Sequence, residues 1–332
     1  MATPALRAIR TQFPRSEIVA VVRPYVQEVL NGLDLVDRYL VHDPRGKSSA
    51  LRGWAFGQAL RRERLDLAVL FPNSFRSAFW AWWSGAKTRV GFDRYRRGWL
   101  LTDRLMPKSI NQPNPVIDEY LRLAEHLGCP DLTCDTELAT TGADEKQHRK
   151  FWDAHGGWPQ RGAVCLNPGG AFGSAKHWPV TSFAQLALRI ATELNRQVLV
   201  LCGPAEKTTA REIVALARHS SVVSLAEAEP SIGLTKAAIK HASLLVTTDS
   251  GPRHFAQPFQ VPVVTLFGPT HAAWSETYYH RSLHLQLEMD CGPCQQRTCP
   301  LQHHRCLRDL SPDWVFRAAA SLLERTAEPH AA

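Results

Sequence analysis

The sequence predicts an α/β chain with two domains, each built on a parallel sheet. Three observations carry that prediction. Short apolar runs alternate with amphipathic segments, the pattern that parallel strands and crossover helices produce. The 332 residues are enough for two separate hydrophobic cores. Loops rich in glycine and hydroxyl residues follow two of the apolar runs, where parallel sheets hold their ligands.

The chain opens on a helix, Ala2–Arg10, with Thr3 as its cap and Pro4 in its first turn. A strand at Ile18–Val22 follows Pro14. Ser49–Arg64 reads as an amphipathic helix, Leu65–Phe71 as a buried strand and Val116–Leu127 as a helix. Pro130–Arg161 is polar and carries Gly142 and a Gly156-Gly157 pair near Pro159, so the inter-domain linker is placed there. The domains are therefore drawn as 1–155 and 156–332. In the second, strands Ala163–Asn167, Gln197–Cys202, Ser221–Leu225, Leu244–Thr247 and Val263–Phe267 are expected. Helices Thr181–Leu194, Glu206–Arg218 and Ser231–His241 separate them, and a last helix covers about Pro312–Arg325. The tail beyond Glu324 reads as loose.

Composition excludes several classes. No apolar run reaches the roughly eighteen residues of a membrane span. No charged-then-apolar leader begins the chain. The formal charge of +8 suits an acidic partner. Aromatic and basic residues do not interleave in an RNA-binding pattern, and no helix-turn-helix or zinc-finger spacing occurs, so nucleic acid is not the expected partner. Eight scattered and clustered cysteines in a chain of this size read as reduced, in a cytosolic compartment.

The most informative stretch is VTTDSGPRHFAQPFQVPVVTLFGPT, Val246–Thr270. Thr247, Thr248, Asp249, Ser250 and Gly251 stand where a strand ends and a short helical segment begins. Free backbone N–H groups and a positive helix end there suit an anion. His254 lies about one helical turn further on and can face the same point. The pattern is a phosphate or diphosphate site, distinct from a GxGxxG or Walker loop. Asp249 can also serve as a plain helix cap. A second loop, PGGAFGSAKHWP at Pro168–Pro179, follows the strand at Ala163–Asn167. Its glycines can wrap a diphosphate, with Lys176 as a point charge. Read alone, it is equally a surface turn with a solvated lysine.

Two further clusters stand out. Arg76, Arg94, Arg96 and Arg97 lie near Phe79, Trp80, Trp82 and Trp83 in the first domain. As a cluster they suit the carboxylates and phosphates of an acidic glycan, although each alone reads as a solvated charge. Late in the chain, Cys291, Cys294, Cys299 and Cys306 recur as C-x2-C-x4-C-x6-C, with His303 and His304 inside. A structural zinc and a loop of reduced, locally packed thiols both fit that spacing.

Three segments together, PGGAFGSAKHWP, TTDSGPRHFA with VPVVTLFGPT, and CGPCQQRTCPLQHHRC, resemble glycosyltransferase family 9, in its heptosyltransferase II branch. Leu70–Ala78 and Arg89–Phe92 fit more loosely, and the resemblance spans nearly the whole chain. It implies a GT-B architecture of two Rossmann-like domains facing a cleft. ADP-heptose then binds mainly to the second domain, and a lipid A–inner core glycolipid acceptor mainly to the first. The last helix is expected to cross back toward the first domain. The resemblance implies inverting transfer by single displacement, no required cofactor, and work at the cytoplasmic face of the inner membrane. Lys176 then contacts the donor diphosphate, with Ser174 nearby. Thr248, Asp249, Ser250, Gly251 and His254 hold phosphates and heptose, and Glu227 or Glu229 meets the ribose. Family members begin with a strand and a Gly-Asp turn whose aspartate is the general base. Here Met1 falls just after the corresponding place, so that strand and that base are expected upstream of Met1. The alternative reading is a catalytically impaired relative that binds nucleotide-sugar or glycan.

Overall fold

The computed structural model describes residues 1–109, 112–170 and 173–327. Ala171 and Phe172 of the glycine-rich loop, and the tail from 328, lie outside the described residues. The chain divides into two compact units. Unit 1 holds Met1–Thr136 with Ala273–Thr277, and unit 2 holds Glu137–Ala272 and the chain from Tyr278 onward.

In chain order, unit 1 contains α1 (Thr3–Gln12), β1 (Val19–Val22), α2 (Pro24–Leu30), β2 (Arg38–Val41) and α3 (Gly53–Arg62). It continues with β3 (Leu67–Val69), α4 (Phe75–Trp83), β4 (Thr88–Phe92), β5 (Asp103–Leu105) and α5 (Val116–His126). Strands β1 and β2 form one parallel pair, and β3, β4 and β5 a second parallel sheet in that order. Helix α1 buries Ala5, Ala8 and Ile9 against Ile117, Leu121 and Ala124 of α5. Its N-cap is Ala2 without a side-chain hydrogen bond, and Thr3 is buried inside the helix, so the expected threonine cap does not form. Pro4 sits in the first turn as expected.

Unit 2 contains α6 (Gly142–Asp153), β6 (Ala163–Asn167), α7 (Val180–Glu193), β7 (Val198–Val200), α8 (Lys207–Ala217) and β8 (Val222–Ser224). It ends with α9 (Ile232–Lys240), β9 (Ala242–Thr248), β10 (Val263–Phe267), β11 (Ser282–Gln286), α10 (Arg305–Arg308) and α11 (Pro312–Ala327). Its six strands are all parallel, in the order β11-β10-β9-β6-β7-β8. Both faces of the central strands are covered, which is why they read as continuous apolar runs. Val164 and Leu166 face α7, α8 and α11, while Ala163 and Cys165 face α6 and α9. Helix α11 packs on α7 and on β9 and β10 of its own unit.

The unit boundary falls at Thr136/Glu137, not at 155. Polar composition hid α6, which packs on α9. Its start is a capping box: Thr141 Oγ1 accepts from Asp144 N, and Asp144 Oδ2 accepts from Thr141 N. Only three residues of α6, His148, Phe151 and Trp152, turn inward. Among the described residues no helix is long and apolar enough to cross a membrane.

Candidate functional site

Register builds the site in unit 2. Asn167, the last residue of β6, stands opposite Thr247 of β9. Asn167 Nδ2 donates to Thr247 Oγ1 at 2.9 Å and to Ser250 Oγ at 2.8 Å. Thr248 Oγ1 donates to the Gly169 carbonyl at 3.1 Å, which ties the glycine-rich loop to the end of β9. These polar groups lie beyond the carboxyl ends of the strands, the usual ligand position in an open parallel sheet.

The two predicted loops meet through a buried ion pair. Lys176 Nζ stands 2.5 Å from Asp249 Oδ2 and donates to the Asp249 carbonyl at 3.0 Å. Thr270, at the end of the loop after β10, donates to the same Oδ2 at 2.8 Å. Arg253 Nη1 lies 3.9 Å from Asp249 Oδ1. Burial alone would raise the Asp249 carboxyl. Lys176, Thr270 and Arg253 outweigh it and hold the group below its usual value. The carboxylate is therefore charged, and two buried cations surround it.

The positive charge has a different source from the one expected. After Ser250 the backbone makes two 3₁₀ turns, Gly251–Phe255 and Gln257–Phe259, not an α-helix. So short a turn carries little macrodipole. Lys176 and Arg253 supply the field instead. Arg253 is itself buried, donates to His284 Nε2 at 2.8 Å, and lies 5.0 Å above the Phe267 ring. His254 is half-buried, and burial first, then Arg253, push its imidazole well below its usual value. It is neutral at pH 7. Ser174 is exposed, and a Cβ added at exposed Gly251 would meet nothing within 4 Å. Sequence reasoning missed Asn167, Thr270, Arg253 and His284. Asn167 was signalled by its place just before Pro168-Gly169-Gly170.

The cysteine-rich segment braces both loops. Gly173 adopts φ +147, and a Cβ there would collide with the Arg297 carbonyl, so glycine is required. Ala175 N donates to Arg297 O at 3.2 Å, and Gln295 N to Pro269 O at 2.8 Å. Cys291, Cys294, Cys299 and Cys306 line one hollow with Ala175, Gly268 and Pro269. Burial first, then the facing Cys294 and Cys299, raise the Cys306 thiol.

Glu227 is exposed and pairs with Arg211 at 2.6 Å. The Glu229 carbonyl accepts from Gln147 Nε2 at 3.1 Å. In unit 1 the four arginines separate. Arg97 is fully buried, and its guanidinium donates to the carbonyls of Phe92 and Pro72, to Ser77 Oγ and to Asn73 Oδ1. It braces the loop before α4 and has no face for a glycan, which corrects the expectation for Arg97. Arg94 donates to the Lys108 carbonyl at 3.2 Å, while Arg76 and Arg96 are exposed. Two residues not expected from sequence stand at strand ends in this unit. Arg23 follows β1 and His42 follows β2. Burial first, then the charges of Arg23 and Arg76, lower the His42 imidazole.

Among the described residues, the ligand atoms of Glu145, His148 and His241 lie within 4.8 Å of one another, as around a metal. Their partners make this a clamp between α6 and α9. Lys240 Nζ already sits 2.7 Å from Glu145 Oε1, and Trp152 Nε1 donates to His148 Nε2 at 3.0 Å. Burial first, then His241, push His148 down to about 4. The folded chain keeps this ring neutral where the unfolded chain already protonates it. The unfolded state thus binds more protons below the ordinary value of about 6.5, and stability falls on acidification toward pH 4, by about 3 kcal/mol. His148→Gln is expected to flatten that fall. Urea midpoints measured between pH 7 and pH 4.5 check it, and an unchanged slope contradicts it.

The profile of glycosyltransferase family 9 (heptosyltransferase) matches residues 53–305. Lipooligosaccharide heptosyltransferase 2 of Campylobacter jejuni is 34% identical over 164 residues, 48% of this chain and 51% of that protein. The chain thus spans about half the length of that relative. Lipooligosaccharide heptosyltransferase 2 of Haemophilus ducreyi is 27% identical over 329 residues, 95% of this chain and 93% of that protein. The structure of Escherichia coli ADP-heptose lps heptosyltransferase II superposes with a TM-score of 0.80 at 21% identity, over 98% of this chain and 95% of that one. At that identity the likeness shows the fold, an α/β architecture of GT-B type.

Proposed function

Because the chain belongs to glycosyltransferase family 9, the heptosyltransferases, we propose that it transfers heptose from ADP-heptose to the inner core of lipopolysaccharide. The names of the similar proteins support this reading. The observation that carries it is the buried Asp249 carboxylate, set between the cationic side chains of Lys176 and Arg253 at the level ends of β6 and β9. In the proposed step an acceptor oxygen bonds to the anomeric carbon as the bond from that carbon to the diphosphate breaks. ADP leaves with the electron pair, and the acceptor proton goes to a base. A single displacement inverts the anomeric centre.

Charge grows on the departing diphosphate, and fixed cations placed there lower the barrier. Lys176 exchanges Asp249 for a phosphate oxygen. Asp249, still held by Thr270 and Arg253, keeps the lysine positioned before the donor arrives. Ser174, Ser250, Gly251 and His254 border the donor, while Thr248, expected there, is fully buried and ties the glycine-rich loop to the end of β9 from behind. Glu229 suits the ribose better than Glu227, whose carboxylate is engaged by Arg211. Arg76, Arg94 and Arg96, joined by Arg23 and His42, receive the acidic acceptor. That acceptor is a lipid, so the protein works against the cytoplasmic face of the inner membrane. The test is transfer itself: ADP release from ADP-heptose that requires a heptose-bearing inner-core acceptor. Hydrolysis alone, or no release in the presence of both, overturns the reading.

A structural zinc on the four late cysteines is part of the same proposal. Their side chains line one hollow. The ion would draw them inward and stiffen the brace behind Lys176 and Thr270. Elemental analysis of protein purified without chelators is expected to find about one zinc per chain. Finding none leaves the plain reduced-thiol loop.

A further inference from the structure

Helices α3 and α4, with Trp99 of the turn Gly98–Leu100 beside them, present a ridge of exposed aromatic rings rooted in the core through Phe79. Trp54 is 65% exposed, Phe75 47%, Trp82 46% and Trp99 66%. Phe75, Phe79 and Trp82 recur at the spacing of one helix face. Trp54 meets Trp83 at 5.1 Å, and Phe79 meets Trp83 at 6.1 Å and Trp82 at 6.0 Å, while Phe75 and Trp99 form a second pair at 6.3 Å. The two helices fit closely because Gly57 faces Trp80 and Trp83, where a Cβ would come within 2.8 Å and 3.0 Å of them. A water-exposed row of large rings is costly unless something covers it.

The charges beside the ridge say what covers it. Arg52, at the start of α3, and Arg61 and Arg62, in its last turn, are exposed, and neither helix carries a carboxylate. The Arg61 guanidinium lies 5.8 Å from the Trp83 ring centre. Indoles favour the boundary between headgroups and acyl chains, and arginines pair with phosphates there. A protein partner of complementary charge would not need so much exposed indole among cations. We infer that this ridge is the membrane-docking face of the protein, and that it binds anionic phospholipid. The inference rests on the proposed lipid-linked acceptor only for the choice of membrane; the docking itself does not require transfer.

The test is co-sedimentation of the full chain with phosphatidylcholine vesicles, with and without phosphatidylglycerol. Binding is expected only with the anionic lipid, and to fall as salt is raised. Trp54→Ser with Trp82→Ser is expected to lower the partition coefficient at least about tenfold, while Trp54→Tyr with Trp82→Tyr retains most of it. Transfer to a deacylated, water-soluble acceptor is expected to be unchanged in both double variants. Equal vesicle binding by the serine variant overturns the inference. So does self-association of the wild type that the serine variant loses, which makes the ridge a contact between copies. Loss of transfer to the soluble acceptor also overturns it, by moving the ridge into the acceptor site. Vesicle binding without transfer by the wild type leaves docking standing and removes the proposed function instead.

Discussion

Asp249→Ala is expected to destabilise the protein by about 3–5 kcal/mol, the cost of removing one partner from a buried ion pair. The argument is electrostatic. Lys176 is 7% exposed and Arg253 4%. Without the carboxylate, two cations remain buried near each other, and Thr270 loses its acceptor. Asp249→Asn keeps the volume and restores part of the hydrogen bonding, so it should fall between wild type and alanine. Replacing both partners, Lys176→Met with Asp249→Leu, should recover part of the loss, because the lysine charge leaves with its partner and only Arg253 still loses the Asp249 carboxylate. Urea unfolding of the single and double variants checks the set. A loss below about 1 kcal/mol for Asp249→Ala would match a solvent-screened surface pair and contradict the buried geometry.

Arg97→Ala is the second large effect. The guanidinium donates to the Asn73 side-chain oxygen and bridges that loop to the Phe92 carbonyl at the end of β4. Alanine strands these acceptors and leaves a cavity, for an expected loss of about 3–5 kcal/mol. Lysine cannot reproduce the fork and should recover only part of it. Thermal unfolding checks both variants. An Arg97→Ala chain that melts like the wild type would contradict the bracing role and return Arg97 to the surface cluster.

These two residues show what the sequence revealed and what it hid. Asp249 was legible because it lies in a run of small and hydroxyl residues at a strand end, a pattern with a mechanism behind it. Arg97 looked like its neighbours Arg94 and Arg96, because sequence does not show that the loop before α4 turns its carbonyls inward. The buried strands of unit 2 were legible for a different reason: β6, β7, β9 and β10 are covered on both faces and so read as apolar runs. Of the strands missed, β4 is central in its sheet but Thr88, Arg89 and Gly91 break up its apolar run, and the others are short or sit at edges. Strand β11 alternates His284 and Gln286 with leucines, and β5 is only Asp103–Leu105. Helix α6 was lost in the supposed linker because it buries so little. Arg253 escaped notice beside His254, since only the 3₁₀ geometry of that turn sends the arginine inward toward Asp249. The Cys291–Cys306 segment announced itself by spacing, but its contact with Gly173 depends on a fold-back visible only in three dimensions.

Calorimetric titration with ADP tests the central claim most directly, because it isolates the donor-side network from the transfer step. The wild-type chain is expected to bind one ADP. Lys176→Ala is expected to bind it about ten- to a hundredfold more weakly, the loss of one charge-assisted contact of about 1.5–3 kcal/mol. Equal affinity in the two proteins, or no binding by the wild type, would show that the diphosphate is not held where β6 and β9 end.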